Sequence, residues 1–190
     1  MRLVVINGSA APSGRTRLAL MKVAEAAIEA NPSLDVSVVN LAEDKVGIAD
    51  HRKPEECDDD TAAVLARISE GDCFVIGSPI YRGSFTGALK NLLDRVPVES
   101  LAGKPVGLVA TAAWDHHYLA IDMAMRPVLA WFNAFLLPGS VYLNNDDYSD
   151  GQIVNPDVQK YLSQLGEALA ATCGKLTPQV MGPPSLAGRL

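Results

Sequence analysis

The stretch Val4-Val5-Ile6-Asn7-Gly8-Ser9-Ala10-Ala11-Pro12-Ser13-Gly14-Arg15-Thr16-Arg17 decides the fold. Its apolar beginning predicts a strand, its small residues a loop, and the apolar periodicity over 18–28 a helix. A helix N-terminus carries unpaired N–H groups and the positive end of a dipole, so this loop suits an anion, most often a phosphate. Ser9, Arg15 and Thr16 add hydroxyl and guanidinium donors. The loop matches neither a Walker loop nor the Gly-x-Gly-x-x-Gly dinucleotide fingerprint, and a plain strand–helix turn with an exposed arginine is the alternative.

Outward from this stretch, strands and helices alternate. Strands are predicted over 2–7, 34–41, 72–78, 106–111 and 135–143, and helices over 16–30, 61–70, 84–95, 117–133 and 157–171. Near-continuous apolar strands that alternate with helices indicate a parallel sheet covered on both faces. Five such units predict a doubly wound α/β fold of the flavodoxin-like type, with strand order 2-1-3-4-5. We expect one domain over 1–173 and a tail rich in proline and glycine over 174–190.

Composition excludes several classes of function. The chain has 190 residues, is 48% hydrophobic and carries a net charge of −6, with scattered basic residues, so no nucleic-acid interface is expected. No signal peptide is visible and the apolar runs are too short to span a bilayer. Cys57, Cys73 and Cys173 are isolated, which favours a reducing, cytoplasmic location. His51 lies in a charged loop over 42–60 and is expected to be solvated, because no further ligand type stands at metal spacing.

Two further loops are informative, and both follow predicted strands. One is 77–87, Gly-Ser-Pro-Ile-Tyr-Arg-Gly-Ser-Phe-Thr-Gly, and the other is 112–116, Ala-Ala-Trp-Asp-His. In a sheet of order 2-1-3-4-5, ligands bind at the carboxyl ends of the strands, near the switch point between strands one and three. The loops after strands one, three and four are therefore predicted to form one pocket.

Three motifs resemble the NAD(P)H-dependent FMN reductase family, in particular its alkanesulfonate-type branch, over residues 2 to 170. The first, Gly8-Ser9 followed by Arg15-Thr16, is similar to the family's phosphate loop. The second and most specific, Pro-Ile-Tyr-Arg-Gly-Ser-Phe-Thr-Gly-Ala-Leu-Lys over 79–90, resembles its segment against the flavin. The third, Ala-Thr-Ala-Ala over 110–113 with His117 and 126–129, is similar to a Gly-Gly loop and the helix after it.

The resemblance implies an FMN site built from these motifs. The first motif would hold the phosphate, and Pro79 and Ile80 would present an apolar edge to the isoalloxazine. Main-chain N–H groups over 80–82 would reach the pyrimidine carbonyls, and 111–114 would close that end. The predicted cofactor-binding residues are Ser9, Arg15, Thr16, Pro79, Ile80, Tyr81, Arg82, Thr111, Ala112, Ala113 and Trp114. No catalytic side chain and no metal ligand is expected, because the cofactor carries the hydride chemistry.

The chain departs from the family pattern at several of these positions. Ala10 stands where the family usually has proline, and Gly14 where it usually has serine. Ala112 and Ala113 replace two glycines and are followed by Trp114, so two methyl groups and an indole narrow the mouth of the pocket. Trp114 is expected either to cover the flavin ring or to pack into a neighbouring subunit.

The resemblance implies NAD(P)H-dependent reduction of FMN, with reduced flavin supplied to a partner monooxygenase. Alternatives are a quinone, azo-dye or metal-ion reductase that keeps its flavin, a flavodoxin-type electron carrier, and a non-catalytic interaction protein; NADH and NADPH are not distinguished. His116 and His117 are expected to serve capping or an interface. The helix over 117–133, apolar on most sides and kinked at Pro127, predicts a homodimer or homotetramer, with burial inside one subunit as the alternative.

Overall fold

The computed structural model describes residues 1–11 and 14–183, and its centre is a parallel sheet. The strands are β1 (Arg2–Asn7), β2 (Asp35–Asn40), β3 (Cys73–Pro79), β4 (Pro105–Thr111) and β5 (Phe135–Leu143). The helices are α1 (Arg15–Ala30), α2 (Thr61–Ser69), α3 (Gly87–Leu93), α4 (Arg126–Trp131), α5 (Pro156–Thr172) and α6 (Pro178–Met181). The strand order β2-β1-β3-β4-β5 confirms the predicted fold class.

The sheet separates two apolar cores, which is why its inner strands are apolar on both faces. Every residue of β3 and β4 is buried. One core packs α2, α3 and α4 against the sheet, and the other packs α1 and α5. The second core depends on a close helix approach at Gly166, where a Cβ atom would lie 2.4 Å from the carbonyl oxygen of Val23. α1 is thereby fixed in position, with its N-terminus at the carboxyl edge of the sheet.

Hydrogen bonds tie the loops at this edge to neighbouring strands. Gly8 donates its N–H to the carbonyl of Gly77 (2.8 Å), and Ile80 donates to that of Thr111 (2.7 Å). The Thr86 hydroxyl donates to the carbonyl of Gly8 (2.6 Å) and accepts from the N–H of Leu89 (3.0 Å). Thr86 therefore caps α3, so this helix begins at Gly87, three residues after the predicted start, and leaves Ser84 and Phe85 in the loop.

The helix predicted over 117–133 is wrong as a single element. A 3-10 turn (Asp115–His117) is followed by a π-helical turn (Ile121–Met125), and α-helical geometry begins only with α4. Proline has no N–H to donate to the carbonyl four residues back and its ring collides with that carbonyl. Pro127 thus stands in the first turn of α4, where the missing donor is tolerated.

The polar stretch of chain after β5 contains regular structure. A 3-10 turn (Asn145–Asp147) leads into a two-stranded antiparallel ribbon, β6 (Tyr148–Ser149) and β7 (Gln152–Ile153). The predicted tail contains α6, and its last part, 184–190, lies outside the described residues. Within the described part of the chain, no helix has the length and apolar character needed to cross a membrane.

Candidate functional site

A cleft of about 300 Å³ opens at the carboxyl edge of the sheet, where the loops after β1, β3 and β4 meet. It is lined by Ser9, Ala11, Arg15, Thr16, Pro79, Ile80, Tyr81, Thr111, Ala112, Ala113 and Asn145. The structure thus brings together all of the predicted site residues except Arg82 and Trp114. Ala11 and Asn145 also line the cleft and were not among the predicted residues.

One end of the cleft is formed by the N-terminus of α1. The first hydrogen bond of this helix runs from the N–H of Leu18 to the carbonyl of Gly14 (2.9 Å). No side chain caps the helix, and its first turn contains no acidic residue. Among the described residues, which leave out Pro12 and Ser13, the N–H groups of 15–17 have no hydrogen-bond partner. This end of the cleft offers an anion a positive dipole and unpaired donors.

A buried contact joins the first loop to the third. The Oγ1 atoms of Thr16 and Thr111 lie 2.7 Å apart, and both residues are buried. Ser9 is also buried, and its Oγ accepts a hydrogen bond from the N–H of Ala11 (3.2 Å). These hydroxyls therefore hold the loops in place. Each hydroxyl also has further hydrogen-bonding capacity for a ligand.

The second loop supplies an apolar wall and an exposed tip. Pro79 and Ile80 are buried, and the chain then turns tightly between Tyr81 and Ser84. Arg82 (φ 52°) and Gly83 (φ 82°) both lie in the left-handed region, as the two central residues of a type I′ turn do. Arg82 therefore stands at the tip of the turn. It does not line the cleft.

The expectation that main-chain N–H groups over 80–82 bind a ligand is wrong for two of the three. Ile80 donates its N–H to the carbonyl of Thr111 (2.7 Å), and Tyr81 donates to that of Ser84 (2.8 Å). These bonds hold the wall and close the turn. Within the described part of the chain, only the Arg82 N–H of this set lacks an acceptor.

The third loop has open donors of its own. Ala112 donates its N–H to the carbonyl of Leu143 (2.9 Å), whereas the N–H groups of Ala113 and Trp114 make no hydrogen bond to any described residue. The carbonyl of Trp114 accepts from the hydroxyl of Tyr142 (2.5 Å). Its indole is 61% exposed and lies outside the cleft. Within this one chain, Trp114 thus covers no part of the cleft.

Arg15 is held by two residues that sequence reasoning missed. Its guanidinium donates to the Oδ1 atom of Asn145, and its Cζ atom lies 5.1 Å from the centre of the Tyr148 ring. The Tyr148 hydroxyl donates to the carbonyl of Arg15 (3.3 Å). Burial raises the pKa of the Tyr148 phenol, which keeps it protonated as a donor. The sequence signal was weak, because both residues lie more than a hundred positions from Arg15.

The two histidines expected to serve capping or an interface do not line the cleft. His116 and His117 belong to the 3-10 turn after β4, and their rings meet edge to face with centroids 5.7 Å apart. Among the residues that the structure describes, no group of three or more His, Cys, Asp or Glu side chains has an arrangement that could hold a metal ion.

Sequence comparison places the chain among known enzymes. The family model described as NADPH-dependent FMN reductase matches residues 1–148. An NAD(P)H-dependent FAD/FMN reductase of Geobacillus thermodenitrificans is 35% identical over 166 residues, which cover 87% of this chain and 89% of the relative. The NADH-dependent FMN reductase SfnF of Pseudomonas putida is 34% identical over 171 residues, covering 90% and 92%.

Solved structures agree on the fold. The apo form of an NADH:FMN oxidoreductase has a TM-score of 0.77 at 22% identity, covering 95% of this chain and 93% of that one. An oxidoreductase from Corynebacterium diphtheriae has a TM-score of 0.76 at 23% identity, covering 93% and 98%. The family and the enzyme class predicted from the three motifs are thereby confirmed, together with NAD(P)H and FMN as its cofactors. The chain belongs to the NADPH-dependent FMN reductase family of oxidoreductases.

Proposed function

We propose that this member of the family reduces FMN bound in the cleft between the three loops and releases it to a partner monooxygenase. The observation that carries the proposal is the division of the cleft into a cationic end and an apolar wall. Arg15 and the uncapped N-terminus of α1 form the first, and Pro79 and Ile80 form the second. A flavin mononucleotide has the same division, with a phosphate dianion at one end and an apolar ring at the other.

The residues present fit FMN in detail. Arg15, Ser9 and Thr16, with the unpaired N–H groups of α1, would hold the phosphate. The unpaired N–H groups of Ala113 and Trp114 would take the pyrimidine carbonyls, in place of those at 80 and 81. Donors at this end withdraw charge from the ring and so favour its reduction. Side chains would thus position the phosphate, and main-chain donors would polarise the ring.

Bound FMN would supply the redox chemistry, as the acceptor of a hydride from NADH or NADPH. The protein must therefore leave one ring face open to the nicotinamide. Among the described residues that line the cleft, Tyr81 alone is aromatic, and it is 62% exposed. A flavodoxin-type carrier sandwiches its flavin between aromatic rings, so the open cleft favours a reductase. Tyr81 and Arg82 stand at the rim, where we propose that they contact the ring and the nicotinamide dinucleotide.

We further propose that the protein works as a homodimer or homotetramer. Leu119, Met123 and Trp131 are 49%, 75% and 59% exposed, on the segment that the sequence predicted to lie in a subunit interface. Exposed apolar surface is typical of protein interfaces, and these three side chains lie within one segment, residues 119–131. The described cysteines are free thiols, which fits the reducing cytoplasm proposed as its location.

The test is the oxidation of NADH and NADPH at 340 nm by purified protein, with and without added FMN. Flavin retained through gel filtration is measured in parallel from the visible absorbance. Turnover that requires free FMN, with little flavin retained, is the expected result and identifies the preferred nicotinamide.

Two other results would change the assignment. Turnover with a flavin that stays bound, together with quinone or azo-dye reduction, would favour a flavin-retaining reductase; an NADPH azoreductase of Bacillus is 26% identical over 153 residues. FMN binding without nicotinamide oxidation would favour an electron carrier. Absence of both binding and turnover would contradict the proposal and leave a non-catalytic interaction protein.

A further inference from the structure

The loop after β5 contacts the phosphate end of the cleft, although none of the three motifs includes it. Asn145 lies in the 3-10 turn at the end of β5, and Tyr148 lies at the start of the ribbon that follows. Both contact Arg15, the first residue of α1. These contacts join the chain after β5, an edge strand, to the N-terminus of α1, the helix that follows β1.

The turn that carries Asn145 is held in place by hydrogen bonds among the residues beside Asn145. Asp147 is buried, and its two carboxylate oxygens accept from the N–H of Asn144 (2.8 Å) and the side-chain amide of Asn155 (2.6 Å). The Oδ1 atom of Asn144 accepts from the N–H of Asp146 (2.6 Å). The main chain on both sides of Asn145 is therefore held by bonds that do not involve Arg15.

The chemistry of the groups around Arg15 is distinctive. Its guanidinium contacts the side-chain oxygen of Asn145 and the ring of Tyr148, both of them neutral, and the Tyr148 hydroxyl donates to the Arg15 main-chain carbonyl. Among the described residues, no carboxylate forms an ion pair with Arg15, whereas Arg17 is paired with Glu43 at 3.5 Å. The buried carboxylate of the turn, that of Asp147, accepts hydrogen bonds from Asn144 and Asn155. Arg15 is thus oriented without being neutralised.

We propose that Asn145 and Tyr148 are positioning residues that hold the Arg15 guanidinium toward the flavin phosphate while leaving its charge free. This inference rests on the proposed function, because it needs a flavin in the cleft. Neutral acceptors fix the planar fork of an arginine, and fixing it in advance lowers the entropy lost when a dianion binds. A carboxylate at the same place would compete with the phosphate for the same donors.

The test compares FMN with riboflavin, which has the same ring and no phosphate. Dissociation constants for both are measured by quenching of flavin fluorescence, for the wild type, Asn145→Asp, Asn145→Ala and Tyr148→Leu. The matched control is Gln152→Glu, which also changes an amide to a carboxylate, at an exposed position of the ribbon that follows the turn.

We expect Asn145→Asp to weaken FMN binding about tenfold, since charged hydrogen bonds to the phosphate are lost to the new carboxylate. Asn145→Ala and Tyr148→Leu should each weaken it about threefold, the scale of one lost hydrogen bond and of one lost cation–π contact respectively. Riboflavin binding should change by less than about twofold in every variant, and Gln152→Glu should behave as the wild type.

Each contrary result has a distinct meaning. Equal losses for FMN and riboflavin would show that Asn145 and Tyr148 only support the fold, and would overturn the inference. Wild-type protein that binds both flavins equally well would overturn it too, while leaving the flavin site intact. Wild-type protein that binds neither would overturn the proposed function, and the inference with it.

Discussion

The two ends of the cleft are built in different ways. At the phosphate end, the neighbours Arg15 and Thr16 are hydrogen-bonded to residues from distant parts of the chain, Arg15 to Asn145 and Thr16, in a buried contact, to Thr111. Beyond the other end, the segment from Trp114 to Trp131 is irregular and exposes large apolar side chains. The first region is complete within one chain. The second region has apolar side chains that are exposed in one chain, and a second subunit would bury them.

Among these variants, removal of the Arg15 guanidinium should weaken FMN binding the most. We expect Arg15→Ala to weaken FMN binding about thirtyfold, or about 2 kcal/mol, because the phosphate loses a charged, forked donor. Arg15→Lys should recover part of this loss, since it keeps the charge without the fork. Isothermal titration with FMN gives the values, with riboflavin as the control ligand. An equal loss for riboflavin would contradict the assignment of this end to the phosphate.

Substitutions at Thr16 and Thr111 test whether the contact between their hydroxyls also stabilises the fold. Thr16→Val leaves the buried hydroxyl of Thr111 without its partner, so the free energy of unfolding should fall by about 1–2 kcal/mol. The double variant Thr16→Val/Thr111→Val should lose less than the sum, because no unpaired hydroxyl remains. Urea unfolding followed by circular dichroism measures both. Additive losses would mean that the two hydroxyls are not coupled.

The first region also shows what the sequence could predict. The strands and their order followed from near-continuous apolar runs alternating with helical periodicity, as in β1, β3 and β4. Once the order was known, the convergence of three loops followed, because carboxyl ends of parallel strands share one edge. Most predicted site residues line the cleft for this reason. Their roles toward FMN stay predictions until binding is measured.

The features that the sequence did not predict depend on contacts between distant residues or on local backbone geometry. Asn145 and Tyr148 were hidden in a loop that looked merely acidic, and their importance comes from where Arg15 lies in space. The N–H groups of Ile80 and Tyr81 appeared available until the turn at Arg82 was known. In the second region, Pro127 predicted a kink, but the π-helical turn before it has no signature in the sequence.

The second region should respond to charge placed on its apolar surface. We expect Met123→Lys and Trp131→Lys each to raise the dissociation constant between subunits about tenfold, because an unpaired ammonium would be buried at the interface. Sedimentation velocity over a range of protein concentrations measures this. Ile48→Lys is the control, as Ile48 is 81% exposed in the loop between β2 and α2. Monomeric wild-type protein, or equal effects from all three variants, would contradict the proposed interface.

The smallest effect is expected at Trp114, where the two regions meet. Its indole lies outside the cleft of its own chain, so Trp114→Ala should change FMN affinity by less than about twofold in dilute, monomeric protein. The same titration at a concentration where subunits associate separates two explanations for its exposure. An affinity loss that appears only on association would mean that the indole reaches a partner's flavin site. A loss that is the same at both concentrations would instead mean that Trp114 contacts the flavin bound to its own chain, and that the cleft closes around the cofactor when it binds.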